Sequence, residues 1–233
     1  MKKVTKYIPD MLTLCNLLSG CMAICMAFRG GESVGALTGV QWSWFFIGLA
    51  AFFDFCDGAS ARLLHAYSPV GKELDSLSDL ISFGVAPGML MFNVMSAQAG
   101  PAWLAYTALF IPAMGAVRLA KFNCDERQTT SFRGLPIPAN AIFWIGMCGW
   151  IDRYIYPGGW VMAVLIVAVS LLMVCDMHMF SLKFSSFDWR ENFRRYVLLI
   201  ASAAFVIVWG ISGLVWAIVL YLLISALGRK QTA

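Results

Sequence analysis

Four aspartates, Asp54, Asp57, Asp75 and Asp79, interrupt a stretch whose flanks are apolar enough to lie in a membrane. Ionisable side chains are costly there, face the interior of a helix bundle and mark functional sites. A chain carrying all four must fold so that they meet one another rather than lipid. The spacing permits this, because intervals of three and four place each pair on one face of a helix. The same segment, DFCDGASARLLHAYSPVGKELDSLSD, holds Gly58, Ala61, Arg62 and Gly71 between the two pairs.

Of 233 residues, 60% are hydrophobic and 13% charged, and the mean hydropathy is +0.74. Soluble domains carry about 45–50% and about 25% respectively, so the chain reads as an integral membrane protein. A single all-α membrane domain over residues 1–233 is expected. The net charge of +4 comes from basic residues gathered at span ends and calls for no nucleic-acid partner. Seven cysteines form no CxxC pair and read as small buried hydrophobes rather than a disulfide or zinc framework. The N-terminal lysines and apolar run resemble a secretory signal, but the run outlasts signal length, which favours an uncleaved first span.

Apolar runs predict spans at roughly residues 9–28, 41–62, 72–96, 103–120, a fifth ending near 150, and 160–175. The final run, Tyr196 to Leu227, would be about 48 Å long as one helix, against a hydrocarbon core of about 30 Å. Gly210, Ser212 and Gly213 break it into halves of about 21–24 Å, which local thinning of the bilayer accommodates. Eight spans follow: a six-helix core over about 1–176 and two further helices over about 196–228. Every Lys and Arg except Arg29 and Arg153 then falls on the side of the N-terminus. By the positive-inside rule both termini are cytoplasmic, in a cytoplasmic (inner) membrane. Trp42, Trp44, Trp103, Trp150 and Trp160 stand near the outer span ends as interfacial anchors.

This topology sets the depth of the acids. At the helical rise, Asp54 is about 12 Å and Asp57 about 7.5 Å from Arg62, while Asp75 is about 4.5 Å and Asp79 about 10.5 Å from Lys72. Antiparallel neighbours thus bring Asp57 level with Asp75, and Asp54 with Asp79, just below the cytoplasmic surface. Four aspartates at the membrane centre would cost on the order of 10–14 kcal/mol, an upper bound at this depth. Two divalent ions would balance them, and oxygen-only ligation suits Mg²⁺ or Mn²⁺, with Ca²⁺ also possible. A two-metal site suits phosphoryl chemistry. A structural acid cluster and a divalent-cation transporter are the other readings. The edge position, beside Arg62 and Lys72, suits an anionic ligand better than a cation path. Gly58 and Ala61, lacking bulk, leave the backbone open to a flat or bulky ligand.

The pattern D-x2-D-G-x2-A-R-x8-G-x3-D-x3-D runs without a gap through Asp54, Asp57, Gly58, Ala61, Arg62, Gly71, Asp75 and Asp79. It resembles the signature of the CDP-alcohol phosphotransferases, which move a phosphatidyl or related group from a CDP-linked donor to an alcohol and release CMP. Within that family the chain is most similar to the integral-membrane phosphatidylserine synthases, through YIPDMLTLCNLLSG, RLAKFN and FRGLPIPAN. Asp10 departs from the pattern, since relatives often carry Asn after Ile-Pro. The other serine synthase type, related to phospholipase D, needs His-x-Lys pairs that neither His65 nor His178 provides.

The resemblance implies a six-helix core, CDP-diacylglycerol and L-serine as substrates, and a homodimer in the lipid bilayer. It implies metal ligation by Asp54, Asp57, Asp75 and Asp79, with Asp79 also the base for the acceptor hydroxyl. Gly58, Ala61, Arg62 and Gly71 are implied at the CDP-lipid site. Inositol, glycerol 3-phosphate or choline in place of serine keeps the same chemistry. For the serine and phosphate groups the candidates are Arg118, Lys121, Asn123 and Arg133, because anionic groups call for cations and Arg binds them through paired hydrogen bonds. Positive-inside anchoring explains the same basic residues equally well. The GLPIP segment also reads as a stiff turn into the fifth span. Lys183, Arg190, Arg194 and Arg195 read as contacts to anionic headgroups.

Overall fold

The computed structural model describes residues 7–124, 132–179 and 189–228. Lys2, Lys3, Lys6, Arg127, Lys183, Arg229 and Lys230 lie outside the described residues, as does the side chain of Arg190.

Helix α1 (Ile8–Ala27) begins with Pro9 in its first turn, where a missing N–H costs nothing. A two-residue hairpin, β1 (Ser33–Val34) with β2 (Leu37–Thr38), turns the chain into α2 (Gly39–Leu63). A capping box starts α2: Thr38 Oγ1 accepts from the Gln41 N–H at 3.3 Å, and Gln41 Oε1 accepts from the Thr38 N–H at 3.1 Å. After a tight link, α3 (Pro69–Asp79) starts on Ser68, whose Oγ accepts from the Gly71 N–H at 2.8 Å.

The third span is not a uniform α-helix. Directly after Asp79 the chain makes a π-helical turn, Leu80–Val85, before α4 (Ala86–Ser96). Pro87 explains it: the residue has no N–H for the Phe83 carbonyl, and its ring crowds that carbonyl. The Ala86 N–H reaches back five residues to Ile81 O. Asn140 Nδ2 donates to Phe83 O at 3.5 Å, and Trp144 Nε1 donates to Asn140 Oδ1 at 2.9 Å. Both side chains are fully buried. The FRGLPIPAN segment therefore serves the span that carries Asp75 and Asp79.

A 3₁₀ stretch, Ala102–Leu109, leads into α5 (Phe110–Cys124). Helices α6 (Ile137–Arg153) and α7 (Gly159–Val174) follow. Strand β3 (Phe132–Arg133), before α6, pairs antiparallel with β4 (His178–Met179), beyond α7. Gly134 makes this join possible. It has φ +74°, the Leu135 and Gly134 N–H groups donate to Leu172 O and Met177 O at 2.9 Å, and a Cβ at Gly134 would collide with Met173 O. The GLPIP segment is thus the stiff turn expected, tied to the end of α7.

Helix α8 (Trp189–Trp209), a 3₁₀ turn (Gly210–Ser212) and α9 (Gly213–Gly228) complete the described chain. Gly210 has φ +63°, and a Cβ at Gly213 would collide with Phe205 O, so the chain reverses where the glycines were expected to break it. Arg153 Nη1 donates to Trp209 O at 3.2 Å, which fixes the turn at the end of α6. Helix α9 then returns along α6 to β4. Added Cβ atoms at Gly146 and Gly149 would stand 2.7 Å from Val215 N and Ile211 Cγ2, so small residues let this hairpin press on the α6 backbone.

The result is an all-α, multi-pass membrane helix bundle with four two-residue strands among the described residues. Large apolar side chains such as Phe52, Phe55, Val164 and Ile207 face outward, as a bilayer requires. Among the described residues, 5 helical stretches are long and apolar enough to cross a membrane, with Gly159–Val174 a shorter apolar helix. The expected eight is not reached by this measure. Helix α6 is enclosed by its neighbours and so needs no long apolar exterior, and the last run, Asn192–Leu227, counts as one stretch. A second correction concerns the cysteines: all are free, but only Cys148 is buried, and Cys21 and Cys25 face outward from α1. In lipid the outer face of a helix is as apolar as its inner face. Of the tryptophans, Trp103 and Trp160 are exposed and stack edge to face at 5.3 Å, whereas Trp44 and Trp150 pack against the core.

Close approach of α1 to the third span rests on Gly20. A Cβ there would collide with Ser82 Oγ and stand 2.8 Å from Ser82 Cα. Gly20→Val should therefore destabilise the bundle by about 1–3 kcal/mol, seen as a lower Tm in detergent micelles; an unchanged Tm would show that the two helices are not in this contact.

Candidate active site

Helices α2 and α3 supply the acids, and α1 holds them in place. One oxygen each from Asp54, Asp57 and Asp75 lie within 4.8 Å of one another. Asp79 stands outside that trio but within its field, and the Asp54 carboxylate weighs on it most among the three. Bringing these charges together away from water is unfavourable without counter-cations. Asp75 Oδ1 is moreover buried with no hydrogen-bond partner. A buried, unpaired carboxylate oxygen beside two others fits a divalent cation, and the donor set is oxygen only. The cluster can therefore coordinate a divalent metal ion.

Two side chains of α1 reach the acids. Thr13 Oγ1 donates to Asp57 Oδ2 at 2.7 Å and lies 3.0 Å from Pro9 O, and both Thr13 and Asp57 are buried. Asn16 Nδ2 donates to Asp79 Oδ1 at 3.4 Å, while the Asn16 carbonyl accepts from Ser82 Oγ at 3.0 Å. Their spacing of three puts both on the face of α1 that continues through Ser19, Gly20, Ala23 and Ala27. Sequence reading missed these two residues as members of the site. The available signal was a polar Thr and Asn on the inward face of an apolar helix.

The signature's small residues have distinct surroundings. A Cβ at Gly58 would meet nothing within 4 Å, so the space beside Asp57 is open. At Gly71 a Cβ would stand 2.8 Å from Asp10 Oδ1 and 2.9 Å from Ser68 Oγ. Gly71 thus admits the Asp10 carboxylate to the first turn of α3, where the helix dipole favours negative charge. Ala61 is half-buried, and Arg62 is exposed at the end of α2.

The four candidates for the serine and phosphate groups are not equivalent. Lys121 Nζ donates to Val174 O at 3.2 Å, fastening α5 to the end of α7. Asn123 Nδ2 donates to Ser76 Oγ at 2.9 Å, fastening α5 to α3. Arg133 Nη1 lies 3.7 Å from Asp176 Oδ1, and both side chains are substantially exposed. Arg118 differs from all three. It is buried, its guanidinium carbon lies 6.0 Å from the centre of the Phe122 ring, and its Nε has no hydrogen-bond partner. Its guanidinium feels the charge of Asp79.

Several known proteins resemble the chain. A CDP-diacylglycerol–serine O-phosphatidyltransferase of Bacillus subtilis is 37% identical over 150 residues, covering 64% of this chain and 77% of the relative. One of Methanocaldococcus jannaschii is 33% identical over 169 residues, 72% of this chain and 71% of the relative. One of Helicobacter pylori is 31% identical over 204 residues, 85% and 81% of the two chains. Residues 6–178, which include all four aspartates and the α1 face that holds them, match the CDP-alcohol phosphatidyltransferase family, and the chain belongs to that family.

Proposed function

We propose that the protein transfers the phosphatidyl group of CDP-diacylglycerol to the hydroxyl of L-serine, giving phosphatidylserine and CMP. The observation that carries this reading is the Asp54–Asp57–Asp75 trio with Asp79 outside it, together with a buried Arg118 whose Nε has no hydrogen-bond partner. The trio suits a diphosphate with its cations, and Asp79 with Arg118 suits an amino acid bearing a hydroxyl and a carboxylate. The three relatives described above carry the serine transferase description.

Asp54, Asp57, Asp75 and Asp79 would hold two divalent ions, Mg²⁺ or Mn²⁺, which when bound supply charge neutralisation to the diphosphate and the leaving group. The open backbone at Gly58, with Ala61 one turn on, receives the cytidine end of the donor. Arg62 and Gly71 belong to the same side of the site. Asp79 takes the proton of the serine hydroxyl as the oxygen attacks the phosphorus that carries diacylglycerol. The new P–O bond forms in line as the bond to CMP breaks, and CMP leaves with the electron pair. Asn16 keeps the Asp79 carboxylate turned toward the acceptor, and Thr13 keeps Asp57 in the trio. Arg118 binds the serine carboxylate, while Lys121, Asn123 and Arg133 shape the entrance through the contacts they already make.

The same reading puts the site near the cytoplasmic surface, because Arg62 and Lys72 stand at the ends of the helices that carry the aspartates. A lipid donor then arrives from the bilayer and a polar acceptor from the cytoplasm.

The purified protein, given CDP-diacylglycerol, Mn²⁺ and L-serine, should release CMP and form phosphatidylserine. CMP release with inositol, glycerol 3-phosphate or choline but not with serine would overturn the acceptor. Asp79→Asn should lower kcat by at least about 100-fold with the Tm retained; near-normal turnover would remove Asp79 as the base. Thr13→Val removes the hydroxyl that orients Asp57, and such partners of metal ligands are worth about 10–100-fold in affinity or activity. Its activity should need about tenfold more Mn²⁺ and recover at saturating metal. An unaltered Mn²⁺ dependence would sever Thr13 from the metal site.

A further inference from the structure

Asn16 is fully buried on the inward face of α1. Its backbone carbonyl accepts from Ser82 Oγ at 3.0 Å, and Gly20, one turn on, lets the third span close against α1. This turn of α1 is therefore fixed against the chain just after Asp79. The side chain spends one end on the acids, since Nδ2 donates to Asp79 Oδ1 at 3.4 Å. The other end is orphaned: Asn16 Oδ1 is buried and has no hydrogen-bond partner. Asp75 Oδ1, on the helix that leads to Asp79, is in the same condition. A buried carbonyl oxygen without a donor is costly, so it calls for a partner.

Charge decides what that partner is. Two divalent ions match four carboxylates, and three of those carboxylates gather around one position. An ion held with Asp79 has fewer charged oxygens to draw on. A fifth carboxylate would leave excess negative charge away from water, so a further protein ligand there should be a neutral oxygen. A carboxamide carbonyl is one, and carbonyl oxygens suit Mg²⁺, Mn²⁺ and Ca²⁺. An ammonium group could also answer the oxygen, but it is the size of a water molecule, and solvent does not reach Oδ1. A divalent ion that has shed its water is smaller.

We propose that Asn16 is a ligand of the cation shared with Asp79, with Oδ1 binding the ion while Nδ2 holds the Asp79 carboxylate beside it. This rests on the two-ion reading above and adds a neutral fifth ligand to it. The acidic segment alone then leaves the coordination incomplete, and α1 completes it.

Mn²⁺ binding to the purified protein without substrates, followed by electron paramagnetic resonance, tests the ligand. Asn16→Leu removes both polar ends at similar volume and should weaken Mn²⁺ binding at least about tenfold. Asn16→Asp keeps an oxygen and loses the N–H, and it should bind Mn²⁺ at least as tightly as the wild-type protein. This near-isosteric variant carries the test if Asn16→Leu lowers the Tm. An unchanged Mn²⁺ affinity in Asn16→Leu would overturn the ligand, whether or not KM for serine rises. Equal losses in the two variants would also overturn it, by making Asn16 only the donor to Asp79. A wild-type protein that binds Mn²⁺ but releases no CMP would overturn the transferase reading and not the ligand. One that binds no Mn²⁺ would overturn the metal site and the ligand with it.

Discussion

Mutual repulsion among carboxylates held away from water governs how this chain can be built. Three of the four aspartates place oxygens within 4.8 Å of one another, and the fourth lies in their combined field. No arrangement of apolar helices tolerates that charge density unaided, because the desolvation of each ion exceeds what the interior returns. The bundle meets the problem by supplying donors from outside the acidic segment. Thr13 binds Asp57 and Asn16 binds Asp79. What remains unsatisfied, Asp75 Oδ1, is where a cation is called for.

Holding those donors in range demands close backbone contact, and small residues provide it at each junction. Gly20 admits Ser82, so that α1 lies against the turn that follows Asp79. Gly71 admits Asp10 to the start of α3. The π-helical turn is the other half of this arrangement. Pro87 withholds one N–H, the Phe83 carbonyl turns to Asn140, and Trp144 fixes Asn140. Helix α6 is thereby coupled to the span that carries Asp75 and Asp79, through a buried chain of polar contacts rather than apolar packing alone. Substitutions in this chain would be felt at Asp79 without touching it.

Much of this was legible in the amino-acid sequence, for identifiable reasons. Carboxylates at intervals of three and four on facing helices have few ways to meet, so an acidic cluster follows from spacing and topology, although Asp79 stands outside the trio rather than paired with Asp54. Gly210 and Gly213 mark a reversal because each lies where a side chain would be strained or would collide with Phe205. Other features depend on contacts between distant segments and leave little local trace. Thr13 and Asn16 look like ordinary small polar residues in a helix until α2 and α3 are placed against them. The four basic and amide candidates of the acceptor site looked alike in sequence, yet burial separates Arg118 from Lys121, Asn123 and Arg133. The span count suffered in the opposite way: apolarity is a property of lipid-facing surface, and α6 presents little of it.

Division of labour between the acidic segment and the rest of the chain follows from what each would have to recognise under the proposed reaction. A diphosphate with its cations is a fixed chemical object, and Asp54, Asp57 and Asp75 offer oxygens at fixed spacing within a single helical hairpin. An acceptor alcohol offers only one invariant atom, the hydroxyl oxygen, which the proposal gives to Asp79. Everything that distinguishes one alcohol from another lies further from phosphorus. Selectivity for a carboxylate would require a cation whose charge is not already spent on the metal ligands. Arg118 is the candidate that burial sets apart, with an Nε that has no hydrogen-bond partner. A neutral alcohol would bring such a cation no partner, so discrimination would arise from a cation left incompletely paired as much as from any contact made.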